Sequence, residues 1–287
     1  MSGGRASASG AGFVDIDWAG RPVRLEVAWV GEGGEGREGS DGPGASAPLI
    51  VFLHEGLGSV AMWRDFPDRL CRAVGARGLV YSRPGYGRST PRAAGERWAP
   101  DFMHRQAHEV LPALRAALGL DGVRQPLWLF GHSDGGSIAL LHAARPDAGL
   151  AGVIALAPHL FVEDVSVASI ATAREAYAGT DLRARLAKYH DDPDSAFFGW
   201  NDIWLDPTFR AWNIEADIAA IRCPVLAMQG LDDEYGTLEQ IRAIARRVPG
   251  TRLVEIPACG HSPHRDQPDT VIAAVAAFMR PGVEPSC

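Results

Sequence analysis

The sequence predicts an α/β protein built on a doubly wound, mostly parallel sheet. Its apolar runs of strand length do not alternate with polar residues, which is typical of parallel strands buried on both faces. Six such runs span residues 49–53, 78–81, 126–130, 152–157, 224–228 and 252–256. Helical apolar patterns separate most of them, at residues 60–74, 102–118, 135–145, 236–248 and 268–280. Alternation of strand and helix over most of a chain indicates this fold class.

The two ends of the chain and one loop near its start depart from this pattern. Residues 1–12 are small and polar, which predicts a disordered N-terminus. Strand-like runs follow at 13–18 and 23–30. Residues 31–48 are rich in Gly, Glu and Ser and predict a long flexible loop. The last seven residues, 281–287, are predicted to form a tail.

A central segment, residues 159–215, interrupts the alternation with helical propensity and many aromatic residues. Nine aromatics in 57 residues is about twice the 8% of the whole chain. This density predicts the lining of an apolar pocket, with Trp200, Trp204 and Trp212 as the first candidates. Trp200 and Trp204 are four residues apart and share one helical face. The alternative is that these rings pack only the core of their own segment.

Composition excludes several functional classes. The formal charge of −7 argues against nucleic-acid binding, which needs a concentrated basic face. The four cysteines lack a C-x-x-C spacing and are interpreted as reduced thiols of a cytoplasmic protein. The first residues lack the apolar stretch of a secretory signal, and the longest apolar run is too short to span a bilayer. The histidines form no ligand-spaced cluster, so neither a metal nor a cofactor is predicted.

The strongest chemical signal is the sequence Gly-His-Ser-Asp-Gly at residues 131–135. An apolar run precedes it and a helical pattern follows it, which predicts a strand, a sharp turn and a helix with Ser133 at the apex. In that context a G-x-S-x-G turn is a nucleophile elbow, whose serine projects above the sheet. A chance match to the five residues alone has an expectation of about 0.2, so the flanking strand and helix carry the prediction.

A serine nucleophile needs a base, and the base needs an acid that orients it. Asp232 and Asp233 follow the predicted strand at 224–228, while His261 and His264 follow the strand at 252–256. The carboxyl ends of parallel strands meet at the edge where ligands bind in open α/β sheets. These loops are therefore expected beside Ser133, in the chain order serine, aspartate, histidine that this scaffold uses.

Over about residues 48–280 the chain resembles the α/β-hydrolase fold superfamily. Five ordered motifs carry the resemblance: residues 54–59 (HEGLGS), 82–89 (SRPGYGRS), 131–136 (GHSDGG), 230–233 (GLDD) and 260–264 (GHSPH). The resemblance implies an eight-stranded sheet with a core of residues 13–158 and 216–280. It also implies that residues 159–215 form a helical cap inserted after the sixth strand.

The same resemblance implies site roles. Ser133 would be the nucleophile, His261 the base and Asp233, three residues after the glycine of its loop, the acid. The backbone N–H groups of Asp134 and Gly56 would bind the oxyanion, with Leu57 as the alternative to Gly56. His264 is the alternative base.

Two residues depart from the pattern of the superfamily. Glu55 follows His54 where relatives often have glycine, and it places a carboxylate beside a site that must stabilise negative charge. It either braces the loop, which is the preferred interpretation, or binds a cationic or hydroxyl group of the substrate. Ser82 stands where aspartate is common, with no expected catalytic consequence.

The function expected from these residues is that of a cofactor-free serine hydrolase. It would cleave a small ester, thioester, lactone or amide through an acyl-enzyme on Ser133. One alternative keeps the triad for C–C bond hydrolysis or acyl transfer in aromatic catabolism, because fold does not fix function. Another is a non-catalytic ligand receptor. The expected partner is a small-molecule substrate, and self-association into a homo-oligomer is compatible with the sequence.

Overall fold

The computed structural model describes residues 11–31, 47–123, 125–146 and 149–280. The predicted tail at 281–287, nearly all of the predicted disordered N-terminus and most of the loop predicted at 31–48 lie outside the described residues. The first strand begins at Ala11, so residues 11 and 12 belong to the sheet and not to a disordered end. Their backbones pair with Ala28 and Val27, and such pairing does not require apolar side chains.

Eight strands form one mostly parallel sheet, as the sequence predicted. The strands are β1 (Ala11–Trp18), β2 (Arg21–Val30), β3 (Leu49–Leu53), β4 (Arg77–Tyr81), β5 (Leu127–His132), β6 (Gly152–Leu156), β7 (Val225–Gly230) and β8 (Arg252–Ile256). Their spatial order is β1-β2-β4-β3-β5-β6-β7-β8. The β1–β2 and β2–β4 pairs are antiparallel, whereas the pairs from β4 to β8 are parallel.

The described helices cover both faces of this sheet and the edge where the site lies. They are α1 (Phe66–Val74), α2 (Phe102–Arg105), α3 (Leu111–Leu118), α4 (Asp134–Ala143), α5 (Asp164–Gly179), α6 (Leu182–Leu186), α7 (Pro193–Trp204), α8 (Glu215–Ile218), α9 (Glu239–Arg247), α10 (Pro263–Asp266) and α11 (Pro268–Met279). A π-helical turn, Gln106–Val110, joins α2 to α3. Helices α5 to α8 lie in the chain between β6 and β7, where the sequence predicted a helical insertion.

The central strand β3 shows why the parallel strands are unbroken apolar runs in the sequence. All five of its residues are fully buried. Leu49, Val51 and Leu53 belong to the core on one face of the sheet, while Ile50 and Phe52 belong to the core on the other. Successive strand residues point to opposite faces, so a sheet covered on both faces requires apolar residues at every position.

Five of the buried histidines, each at most 3% exposed, share a lowered pKa: His54, His142, His159, His190 and His264. Burial is the main cause that lowers the pKa of each imidazole below its ordinary value of 6.5. The pKa falls to about 4 for His142 and to about 3 for His159. The folded protein therefore keeps these side chains neutral at pH values where an unfolded chain would protonate them.

We expect the free energy of unfolding to fall as the pH is lowered from 7.5 to 5.5. Between the folded and unfolded pKa values the unfolded chain binds protons that the folded protein does not, so stability rises with pH in that window. Each histidine contributes a slope of up to about 1.4 kcal/mol per pH unit. Urea unfolding at several pH values measures this slope. His142→Gln should reduce this slope by up to about 1.4 kcal/mol per pH unit, the contribution of one proton. Equal stability at pH 7.5 and 5.5 would contradict the expectation.

Candidate active site

Ser133 lies at a sharp turn between β5 and α4. Its φ of 52° and ψ of −121° place a non-glycine residue in an unfavourable region, at a cost of about 1–3 kcal/mol. Two glycines permit the close approach of neighbouring backbones. A Cβ atom at Gly131 would lie 2.2 Å from the carbonyl oxygen of Gly135, and a Cβ at Gly135 would lie 2.1 Å from that of Leu53. The turn thus has the geometry of a nucleophile elbow.

A continuous hydrogen-bonded chain joins the three side chains that the sequence singled out. The Ser133 Oγ is 2.9 Å from His261 Nε2, and His261 Nδ1 is 2.8 Å from Asp233 Oδ1 and 3.0 Å from Oδ2. An ionised carboxylate only accepts hydrogen bonds, so Nδ1 carries the proton and Nε2 is left to accept the serine hydroxyl proton. This is the arrangement that a serine nucleophile with a histidine base requires.

The local environment keeps Asp233 ionised and fixed. Its carboxylate also accepts hydrogen bonds from the backbone N–H of Tyr235 at 2.8 Å and from Gln229 Nε2 at 3.0 Å. Burial raises the pKa of Asp233, but the hydrogen bond and charge of His261 outweigh it and the pKa is lowered overall. The neighbouring Asp232 is exposed to solvent. Of the two aspartates, the structure brings Asp233 to the histidine.

The histidine loop is anchored to its surroundings at its backbone. The N–H of His261 donates to Glu234 Oε2 at 3.1 Å, and its carbonyl accepts from His132 Nε2 at 2.7 Å. The alternative base, His264, packs with its ring 4.8 Å from both Trp63 and His132. Burial and the nearby His132 hold the pKa of His264 well below its ordinary value, so it is a packed neutral ring.

The predicted oxyanion donors lie on the two loops that flank the serine. Asp134 is the first residue of α4, where backbone N–H groups lack intrahelical acceptors. Gly56 lies in the loop after β3, which Gly58 closes by donating its N–H to the Glu55 carbonyl at 3.1 Å. A Cβ atom at Gly56 would lie 2.2 Å from Cδ1 of Trp200, so the indole packs directly on this glycine. Which N–H groups bind an oxyanion remains a prediction.

Arg83, which the sequence analysis did not select, ties the two loops together. It is 1% exposed, and its Nη2 donates to the Glu55 carbonyl at 2.8 Å and lies 3.6 Å from Asp134 Oδ2. The other carboxylate oxygen of Asp134 accepts from Trp204 Nε1 at 3.2 Å. Burial raises the pKa of Asp134, opposed by the charge of Arg83. A buried ion pair thus positions the loop of Gly56 relative to the elbow.

Glu55 faces both the loop and the cavity. Its Oε2 lies 3.5 Å from Nδ1 of the buried His132, and it would lie 2.5 Å from a Cβ atom at Gly58. Burial raises the pKa of Glu55, but the hydrogen bond and charge of His132 outweigh it, so the pKa is well below the usual range. The carboxylate therefore braces the loop against the elbow, and it also contributes negative charge to the cavity lining.

A cavity of about 300 Å³ opens beside Ser133 and His261. Helices α5 to α7 supply one apolar wall, made of Ile170, Leu182, Leu186, Trp200 and Trp204. The rest of the lining comes from the ends of strands and the segments that follow them: Glu55, Gly56, Leu57, Met62, His132, His159, Glu234, Tyr235, Ser262 and Arg265. The structure thus places Trp200, Trp204 and Glu55 at the pocket where the sequence predicted them.

Trp212 does not line this cavity, so that prediction was wrong. Its ring stacks on Phe209 at a centroid distance of 5.2 Å and packs edge-on against Trp204 at 6.5 Å. The residue follows a short 3-10 helix, Pro207–Ala211, and α7 has already ended at Trp204. It therefore belongs to the internal packing of the helical segment, as the alternative interpretation of the aromatics proposed.

Comparison with known proteins agrees with this fold. Residues 50–274 match the sequence model of the alpha/beta hydrolase family. The chain belongs to this family. A curated relative is 28% identical over 81% of this chain and 94% of its own length, and is named 2-succinyl-6-hydroxy-2,4-cyclohexadiene-1-carboxylate synthase, from Klebsiella pneumoniae.

Solved structures of other proteins show the same fold. A thermophilic esterase from Thermogutta terrifontis superimposes with a TM-score of 0.68 at 20% identity, covering 95% of this chain and 98% of that one. The enol-lactonase from Burkholderia xenovorans LB400 gives a TM-score of 0.67 at 22% identity, covering 90% and 96%. Within the described residues, no group of three or more potential ligands is placed to hold a metal ion, and no helix could cross a membrane.

Proposed function

We propose that this hydrolase-family enzyme is a serine hydrolase that cleaves a small, uncharged ester, thioester, lactone or amide. One observation carries the proposal. Ser133, His261 and Asp233 form a hydrogen-bonded chain, and its serine and histidine line a largely apolar cavity. Each link is within ordinary hydrogen-bond distance, so no rearrangement is needed before the serine can lose its proton.

The proposed reaction proceeds through an acyl-enzyme. Ser133 Oγ attacks the substrate carbonyl while His261 Nε2 takes the hydroxyl proton, and Asp233 stabilises the resulting imidazolium. Backbone N–H groups of Asp134 and Gly56 bind the oxyanion of the tetrahedral intermediate. His261 then returns the proton to the leaving group. Water, activated by the same imidazole, hydrolyses the acyl-enzyme and restores Ser133.

The volume and the lining of the cavity favour a small and largely apolar substrate. A volume of about 300 Å³ is at the lower end of the range for ligand pockets. Leucine, isoleucine and tryptophan side chains form one wall, where an acyl chain or aromatic ring would be buried. Two carboxylates, Glu55 and Glu234, line the cavity, and Arg265 is its one lysine or arginine side chain. This charge balance favours neutral over anionic substrates.

A second candidate reaction follows from the curated relative. Its name describes a synthase whose product carries a carboxylate. A synthase of this kind in the present chain would use the same triad, as would the C–C bond hydrolysis or acyl transfer considered from the sequence. This candidate rests on the name of a relative that is 28% identical, whereas the triad geometry carries the hydrolase proposal, so we rank the synthase reaction second.

Fluorophosphonate labelling combined with a substrate panel tests the proposal. Mass spectrometry should locate the label on Ser133, and the purified protein should turn over neutral p-nitrophenyl esters or lactones many times. The panel should also include formation of the carboxylate that the relative's name describes. Labelling without turnover of any neutral ester, thioester, lactone or amide, together with synthase activity, would overturn the hydrolase assignment.

Trp200→Ala is expected to change the preference among ester chain lengths. The indole covers the cavity beside Gly56, and loss of one large aromatic contact is worth about 1.5–3 kcal/mol. For substrates that reach this wall, kcat/KM should fall by about tenfold to a hundredfold. Acetyl esters, which bury the least apolar surface, should be affected less. Steady-state kinetics on p-nitrophenyl esters from acetate to octanoate measures the change.

Trp212→Ala is the matched control for this variant. It removes an indole of equal size from the same segment but outside the cavity lining. The chain-length preference of Trp212→Ala should match that of the wild type even if its stability falls. An equal loss on every ester in Trp200→Ala would show that Trp200 serves packing alone.

A further inference from the structure

His159 is a histidine of the cavity lining that takes no part in the proposed reaction. His159 follows β6 and lines the cavity, yet it is only 3% exposed. Neither ring nitrogen has a hydrogen-bond partner among the described residues. Nδ1 is closed off from solvent, so Nε2 is the nitrogen that a ligand in the cavity can reach. Buried polar groups are nearly always hydrogen-bonded in folded proteins, so an almost buried imidazole without a partner at a cavity needs an explanation.

The ring is held in place by its surroundings. Ser137 on α4 fixes the backbone on both sides, since its Oγ donates to the His159 carbonyl at 2.6 Å and lies 3.0 Å from the His159 backbone nitrogen. The imidazole packs edge-on against Trp204 at a centroid distance of 4.8 Å and lies 5.7 Å from the ring of His261. His159 is thus oriented before any ligand arrives, which lowers the cost of binding.

The charge state of this ring limits what it can bind. Burial, together with the charge of His261, lowers the pKa of His159 to about 3, so it is neutral at neutral pH. A neutral imidazole offers one N–H donor and one acceptor nitrogen. It can therefore hydrogen-bond a hydroxyl or a carbonyl group, but it gives a carboxylate no compensating positive charge.

We propose that His159 is a specificity-determining residue that hydrogen-bonds an uncharged oxygen of the substrate, a hydroxyl or keto group close to the scissile carbonyl. The inference rests on the proposed serine hydrolase function. The position close to the carbonyl follows from geometry, because the His159 ring neighbours His261, whose Nε2 contacts Ser133 Oγ at 2.9 Å. The substrate class is therefore a hydroxy or oxo ester whose apolar part contacts Trp204 and the leucines.

Matched pairs of substrates test this inference. The pairs are p-nitrophenyl phenylacetate with mandelate, and butyrate with 3-hydroxybutyrate and 3-oxobutyrate, because the members of a pair differ in one oxygen group. The wild type should prefer an oxygenated member by about tenfold in kcat/KM, the scale of one well-placed neutral hydrogen bond. His159→Phe keeps a planar ring but removes both nitrogens, and it should bring that ratio to about one. His159→Gln, which retains a donor and an acceptor, should restore part of the preference.

His108→Phe is the matched control, because it makes the same replacement at an exposed histidine outside the cavity lining. An unchanged ratio in His159→Phe, or an equal loss on both members of every pair, overturns the inference. Fluorophosphonate labelling is followed in the same preparations. A wild type that is labelled on Ser133 but shows no preference in any pair overturns the His159 inference alone, whereas a wild type that is not labelled on Ser133 overturns the proposed function.

Discussion

Ser133→Ala is expected to lower kcat by a factor on the order of 10⁵ or more, which leaves only the catalysis that binding and oxyanion donors supply. The hydroxyl is the one group in the cavity with a base at 2.9 Å, and the substitution deletes it without moving His261. The Cβ atom is retained, so the unfavourable backbone angles of the elbow cost the variant about as much as the wild type. Kinetics on the best ester of the panel measures the effect.

The fold of Ser133→Ala should be unchanged, and thermal unfolding monitored by circular dichroism checks this. Ser169→Ala, on α5, is a suitable control because the Ser169 hydroxyl bonds the Glu234 carbonyl and does not line the cavity. That variant should keep full activity and full fluorophosphonate labelling. If Ser133→Ala retained even a tenth of the wild-type rate, another nucleophile would have to be sought.

The parts of the fold that sequence predicted are those where local pattern and global structure agree. An unbroken apolar run such as 49–53, repeated along the chain between helical patterns, is typical of a strand covered on both faces. The elbow was identifiable because two glycines, a serine and the change from strand to helix fall within five residues. These signals depend on neighbours in the chain and need no knowledge of distant contacts.

The parts that sequence missed depend on contacts between distant residues. Arg83 is a cation in a loop, a position that usually means exposure, and its burial depends on Asp134, 51 residues later in the chain. The partner of Glu55 is His132, which no local spacing connects to it. Trp212 is of the same residue type as the cavity tryptophans and belongs to the same segment. It lies beyond the end of α7, however, so helical periodicity does not fix the direction of its side chain.

The second large effect on kcat is expected for substitution of Asp233, and not for substitution of the neighbouring Asp232. Asp233→Asn should lower kcat by about 10⁴, because an uncharged amide does not stabilise the imidazolium as a carboxylate does, and its NH₂ group favours the unproductive tautomer of the imidazole. The structure also fixes how the amide would sit. Oδ1 accepts the backbone N–H of Tyr235 at 2.8 Å, so the amide oxygen must remain there and the NH₂ group takes the place of Oδ2. That group would then lie 3.0 Å from His261 Nδ1, where one donor faces another, while the amide oxygen stays 2.8 Å from the same nitrogen. The variant therefore loses the carboxylate charge and places a competing donor beside Nδ1.

Asp232→Asn is the matched control, since it makes the same replacement on the adjacent, exposed residue. Its carboxylate takes no part in the hydrogen bonds to His261, so its rate should stay within a few-fold of the wild type. Parallel measurement of kcat for the two variants decides between the aspartates, and unfolding curves show whether either replacement perturbs the loop. The reverse ranking would assign the acid to Asp232. It would also require the loop after β7 to rearrange by one residue when substrate binds, because only then could that carboxylate reach Nδ1.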